Sequence, residues 1–97
     1  MDIEFEFDAE KSRANKGKHG IDFMKAQALW DDVNVVEWLA CSDGEERFIV
    51  TGQIEGKFWT AVITYRENKI RIISARRSRK KEVEGYEERQ KEENYFG

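Results

Sequence analysis

The sequence predicts an α+β fold, with helices set against a mainly antiparallel sheet of four to five strands. Two observations predict it. Arg47 to Gln53, Lys57 to Tyr65 and Lys69 to Ala75 are consecutive β-rich runs joined by links of turn length. Polar, helix-prone segments stand before and after them, and strands and helices that segregate along a chain build α+β layers. Ninety-seven residues close a single hydrophobic core, so one domain over residues 1–97 is expected.

Met1 to Phe7 alternates strictly, with Ile3, Phe5 and Phe7 on one face and Asp2, Glu4 and Glu6 on the other. This is the pattern of a half-buried strand. Asp8 stands where a helix N-cap is wanted, ahead of a short polar helix from Ala9 to Lys16. Gly17 and Gly20 mark its end, and Asp22 can cap a second helix from Phe23 to Trp30, whose Phe23, Ala26 and Trp30 recur at helical spacing. Asp31-Asp32 closes that helix, and Val33 to Leu39 reads as a strand. Ser42-Asp43-Gly44 is a turn signal, and Glu55-Gly56 and Glu67-Asn68 suit tight turns between the three later strands. From Ser78 the composition switches to Lys, Glu, Arg and Gln, which predicts a terminal helix, frayed over about residues 88–97. The expected arrangement has the helices massed on one side of the sheet. The ending Glu93-Asn94-Tyr95-Phe96-Gly97 partly matches a protease-cleavage scar and lacks residues of one.

Hydrophobic residues make up 39% of the chain and charged residues 38%, so the core is lean and aromatic residues must carry much of it. No stretch approaches the roughly 20 apolar residues of a membrane helix, and the acidic start is unlike a signal peptide, so a soluble cytoplasmic protein without membrane partners is expected. Cys41 is the single cysteine and His19 the single histidine, which excludes an internal disulfide and a His-rich metal site. No Gly-rich phosphate loop, nucleophile elbow or Cys-His pairing is present, which argues against nucleoside-triphosphate hydrolysis and covalent serine or cysteine catalysis. No cofactor is implied.

Charge is unevenly spread. Residues 1–65 carry 7 basic and 13 acidic side chains, whereas residues 66–97 carry 10 basic and 7 acidic. Between Arg66 and Lys81 lie eight cations and the single anion Glu67. Such a stripe attracts phosphates or a polyacidic partner, although a lone basic run is more often a solvated face. His19 lies in a polar turn flanked by Gly17 and Gly20, where backbone can approach a ligand, although a lone histidine more often caps or packs. Arg76 and Arg77 end the last strand, and adjacent strand residues point to opposite faces, so one of them can line a cleft. Together these side chains suit RNA cleavage without a metal, which needs a base for the ribose 2′-hydroxyl, cations for the phosphorane and an acid for the leaving 5′-oxygen. Trp38, Trp59 or Tyr65 could stack on bases if exposed, against the commoner core role of strand aromatics.

Asn15-Lys16-Gly17-Lys18-His19-Gly20-Ile21-Asp22-Phe23, Gly44-Glu45-Glu46-Arg47, Ile70-Arg71-Ile72-Ile73-Ser74-Ala75-Arg76-Arg77, and Glu82 with Tyr86 resemble, in that order, the motifs of the BrnT toxin family. The resemblance runs from Phe5 to Glu87. Phe7 stands where the family usually has tryptophan, and Ala9 where it usually has proline. The resemblance implies a RelE-like fold and a bacterial type II toxin that cleaves RNA, inhibits translation and arrests growth. It further implies neutralisation by a BrnA-type antitoxin that also binds operator DNA.

The expected site lies between the Lys18-His19-Gly20 turn and the strand end at Ala75-Arg76-Arg77. His19 is assigned general acid or base, since an imidazole titrates near neutrality, at about 6.5 when unperturbed. Arg47 and Arg76 are the expected transition-state cations, because guanidinium forks match two phosphate oxygens and stay charged. Lys18, Arg71 and Arg77 are expected to bind substrate phosphates. Tyr86 is assigned as a positioning group or second proton donor, and Glu46 as an orienting partner for a cation. With no clustered carboxylates, no metal is assigned. The rival readings are a non-catalytic nucleic-acid or protein-binding module using the Arg66 to Lys81 stripe, and a toxin-like chain without activity. A neighbouring reading frame for a ribbon-helix-helix-like protein would favour the toxin.

Overall fold

The computed structural model describes residues 3–41 and 44–96. Strand β1 (Phe5–Glu6) leads into α1 (Ala9–His19), then a short α2 (Phe23–Ala26) continued by a 3₁₀ segment (Gln27–Asp31). Strands β2 (Val36–Cys41), β3 (Arg47–Ile54), β4 (Lys57–Arg66) and β5 (Lys69–Arg77) follow, and α3 (Lys80–Phe96) ends the chain. The five strands form one sheet in the order β1-β5-β4-β3-β2. β2 to β5 are antiparallel neighbours, as the short links require, but β1 pairs parallel with β5 through Phe5↔Ile70 and Glu6↔Arg71. The sheet is therefore mixed.

Local chemistry sets the boundaries. The Asp8 carboxylate accepts from the backbone N–H groups of Glu10 and Lys11, fixing the start of α1 and stopping β1 after two residues. Those hydrogen bonds also hold the Asp8 carboxyl below its ordinary pKa. Gly17 sits inside α1 instead of ending it. Termination falls to Gly20, whose φ of 80° is left-handed and whose N–H returns to the Lys16 carbonyl. The second helix, expected to be continuous from Phe23 to Trp30, tightens to 3₁₀ geometry after Ala26. Strand β2 starts at Val36 and not Val33, because Asp32 Oδ1 accepts from Asn34 N–H and holds Val33-Asn34 in a turn. Of the expected turn at Ser42-Asp43-Gly44, Ser42 and Asp43 lie outside the described residues, as do Met1 and Asp2 of the expected first strand and the side chains of the 93–97 ending. Helix α3 is helical to Phe96.

The core lies between the sheet and α1-α2. Ile21, Phe23, Ala26 and Leu29 meet Val50, Ile54, Ala61, Ile63, Ile70, Ile72 and Ala75. A register shift between β4 and β5 makes this possible: Ile63 pairs with Ile72 but Val62 with Ser74, leaving Ile73 as the extra residue. Ile72 and Ala75, three apart, thereby share one face. Asn15 ties α1 to β5, donating to the carbonyls of Ala75 and Ile21 and accepting from Ala75 N–H. Beyond Arg71, β5 has no strand partner on that edge, and Asn15 satisfies it instead.

The expected massing of helices on one side is corrected. α3 lies across the opposite face, where Tyr86 meets Phe58 edge-on at 5.1 Å and Glu82 reaches Thr60. Even-numbered β4 residues point away from the Ala61-Ile63 core, so these contacts place α3 behind the sheet. Gly85 is where the helix comes closest, since a Cβ there would meet Trp38 at 2.7 Å.

Candidate active site

The parity of β5 after its bulge decides where its two terminal arginines go. Arg76 pairs in register with Thr60 and Arg77 with Trp59, so the two point to opposite faces. Arg76 faces α3. Its guanidinium donates to both carboxylate oxygens of Glu82, at 2.8 and 2.7 Å, and to the Arg77 carbonyl at 3.2 Å. Glu82 also accepts from Thr60 Oγ1 and from Arg79 N–H, and Ser78 Oγ lies 2.8 Å from Thr60 Oγ1. Only 19% of the Arg76 side chain and 12% of that of Glu82 is exposed. Burial alone would raise the Glu82 carboxyl, but the bonds from Arg76, Arg79 and Thr60 and the Arg76 charge pull it down to about 2. The Glu82 hydrogen bonds in turn raise Arg76, so both groups stay ionised.

Arg77 turns the other way. Its guanidinium carbon lies 5.3 Å above the centroid of Trp59, and its Nε donates to the Phe58 carbonyl at 3.3 Å. Trp59 borders a hollow of about 170 Å³ that Gly20, Ile21, Lys25, Ile54 and Lys57 also line. The Lys18-His19-Gly20 turn therefore adjoins the Arg77 side of the sheet. His19 is half-buried and falls one helical turn after Asn15, on the same side of α1 as the residue that grips Ala75. Lys18 is exposed at the same helix end.

The other expected residues are distributed along the α3 face and at the far end of the sheet. Arg71 lies 3.8 Å from Glu6 across the parallel pair. Arg47 stands at the start of β3, opposite Cys41. It lies four positions before Thr51, which shares a row with Thr60 and Arg76, so Arg47 and Arg76 are offset by about 13 Å along the strands and about 10 Å across them. Arg76 is engaged by Glu82 at one end of this face, and Arg47 stands at the other. Glu46 contributes its backbone carbonyl, which accepts from Thr64 Oγ1, while its side chain is exposed. Tyr86 is 2% exposed and donates to Asp32 Oδ2 at 2.9 Å, not to an arginine. Burial and the Asp32 carboxylate both push its phenol up.

The basic stripe is partly answered by carboxylates. Arg66, Lys69, Arg71 and Arg76 lie within 4.0 Å of Glu45, Glu4, Glu6 and Glu82. Arg77, Arg79, Lys80 and Lys81 remain gathered and exposed where β5 passes into α3. The residues that sequence reasoning missed are the partners Asn15, Thr60, Asp32 and Ser78 and the Arg76–Glu82 link. One signal was available, since Glu82 follows Arg79 by three residues at a helix start, the spacing of a reciprocal N-terminal cap. Among the described residues, no group of three or more His, Cys, Asp or Glu is placed to hold a metal ion, and no helix is long and apolar enough to cross a membrane.

Exposed arginine and lysines at a strand end, on a chain whose one histidine ends the helix clamped to that strand, define a small α+β protein built to meet a polyanion. The family is specific: the chain belongs to the BrnT family, whose model, described as the ribonuclease toxin, BrnT, of type II toxin-antitoxin systems, matches residues 7–82. It is thus a toxin of a type II pair, with RNA as substrate and an antitoxin as partner. No curated protein matches the sequence.

Proposed function

We propose that this toxin cleaves RNA by metal-independent transesterification at the end of β5. The observation that carries this reading is the Asn15 clamp on Ala75, which anchors the helix bearing His19 beside the strand that ends in Arg76-Arg77. A base removes the proton of the ribose 2′-hydroxyl, whose oxygen attacks phosphorus. The bond to the 5′-oxygen breaks, an acid protonates that oxygen, and a 2′,3′-cyclic phosphate remains. His19 performs one of the two proton transfers. Arg77 and Lys18 hold the phosphate at the strand end, and Arg71 and Arg47 hold flanking phosphates across the α3 face. Arg76 serves chiefly to fix α3 through Glu82.

RNA cleavage of this kind would inhibit translation and arrest growth in the cytoplasm. The fold is taken as RelE-like, which the family membership and the mixed sheet flanked by helices support. The antitoxin is taken as BrnA-type, binding operator DNA and covering the exposed cations from Arg77 to Lys81. Association with it should slow as salt rises, because charge steering is screened within about 8–10 Å at physiological ionic strength.

The test compares His19→Ala and Arg77→Ala with Lys91→Ala, an exposed cation on α3. Losing a positioned charge or proton donor costs on the order of a hundredfold in rate, and losing a remote surface cation costs little. Folded His19→Ala that cleaves a labelled RNA at the parental rate would remove His19 from the reaction.

A further inference from the structure

We propose that Arg77, held over Trp59, is a stacking platform for an unpaired RNA base, so that the substrate is taken in single-stranded form. This rests on the ribonuclease reading above and adds the form of the substrate and the side chain that selects it. Trp59 and Arg77 are cross-strand partners, so their side chains leave the sheet on the same face. The guanidinium carbon lies 5.3 Å from the centroid of the indole, and the Phe58 carbonyl holds its Nε at 3.3 Å. The residue as a whole is exposed.

A phosphate needs only charge at such a position, and a mobile lysine would supply it. A planar cation fixed on an aromatic ring supplies more, a flat surface whose orientation is set before the ligand arrives. Nucleobases stack on guanidinium planes as they do on aromatic rings, and only unpaired bases have a face free to do so. The surroundings suit the rest of a nucleotide. Arg79, Lys80 and Lys81 are exposed just after the strand, and Lys57 rims the hollow that Trp59 borders. Arg76 cannot serve in this way, since its guanidinium is committed to Glu82 on the other face.

The experiment measures fluorescence anisotropy of a labelled 2′-O-methyl RNA, which cannot be cleaved because its nucleophile is blocked, as a single strand and as a duplex. Parent, Arg77→Lys and Arg13→Lys proteins are compared, with KM and kcat measured on the unmodified strand. Arg77→Lys should weaken single-strand binding about tenfold and raise KM more than it lowers kcat, while Arg13→Lys binds as the parent does. Trp59→Leu should act in the same direction. If it fails to fold, Arg77→Lys decides alone, because Arg77 is at the surface. Parental affinity in Arg77→Lys, or equal affinity for strand and duplex, overturns the platform. So does an Arg77→Lys protein that loses antitoxin binding and keeps its RNA affinity. A parent that never cleaves RNA but whose strand binding still falls with Arg77→Lys would reject the ribonuclease reading and retain the platform.

Discussion

The Arg76 guanidinium and the Glu82 carboxylate meet through two hydrogen bonds, of 2.8 and 2.7 Å, joining the last strand to the first turn of α3. Helix α3 is polar and offers few apolar anchors, so its position depends on this pair, on Tyr86 and on the close approach at Gly85. Arg76, first expected as a transition-state cation, is held by this pair to the start of α3.

Acid should loosen α3 through Glu82. Its carboxyl is at about 2 in the folded protein against an ordinary 4.5. A depressed carboxyl adds stability that is complete above 4.5 and is lost as pH falls from there towards 2. The loss should be on the order of 2 kcal/mol, read from urea unfolding at pH 7, 4 and 2.5. Glu82→Gln, which cannot titrate, should be less stable than the parent at pH 7 and should show a shallower loss on acidification.

Gly85→Ala should destabilise the protein, although alanine is the better helix former by about 1 kcal/mol. The added Cβ would meet Trp38 Cζ2 at 2.7 Å. A net loss of about 1–3 kcal/mol in chemical denaturation is expected. Introducing the same change into Trp38→Leu, where space is available, should reverse its sign.

Tyr86→Phe should keep RNA cleavage within a few-fold of the parent and cost about 1 kcal/mol of stability. The hydroxyl is spent on Asp32, which still accepts from Gln53 N–H and Asn34 N–H when the phenol is gone. A hundredfold loss of kcat in a folded Tyr86→Phe protein would return the phenol to proton transfer.

Much of the fold was legible because short-range chemistry sets it. β-rich runs bounded by turn signals located β3, β4 and β5, and Asp8 and Gly20 cap α1 for reasons visible in the sequence. Among the described residues the first strand is shorter than the sequence suggested, since Ile3, Phe5 and Phe7 alternate whether or not a partner strand runs beside them, and β5 pairs there with Phe5 and Glu6. Which side α3 takes depends on Glu82, Gly85 and Tyr86 meeting residues from three separate strands and a turn, which one-dimensional spacing does not carry. The adjacency of the His19 turn and the end of β5 was anticipated, but its cause, the Asn15 amide on Ala75, was not. The split between Arg76 and Arg77 follows from strand parity. Which of them faces the His19 turn follows from the extra residue Ile73, and a bulge of that kind leaves no mark on composition.

The most direct test of the central claim is cleavage of an end-labelled RNA by purified toxin in excess EDTA, with the chemical form of the new 3′ ends determined. The account predicts undiminished cleavage, ends carrying 2′,3′-cyclic phosphate, and a loss of about a hundredfold in folded His19→Ala. Cleavage abolished by EDTA and restored by magnesium, with 3′-hydroxyl ends, would contradict it.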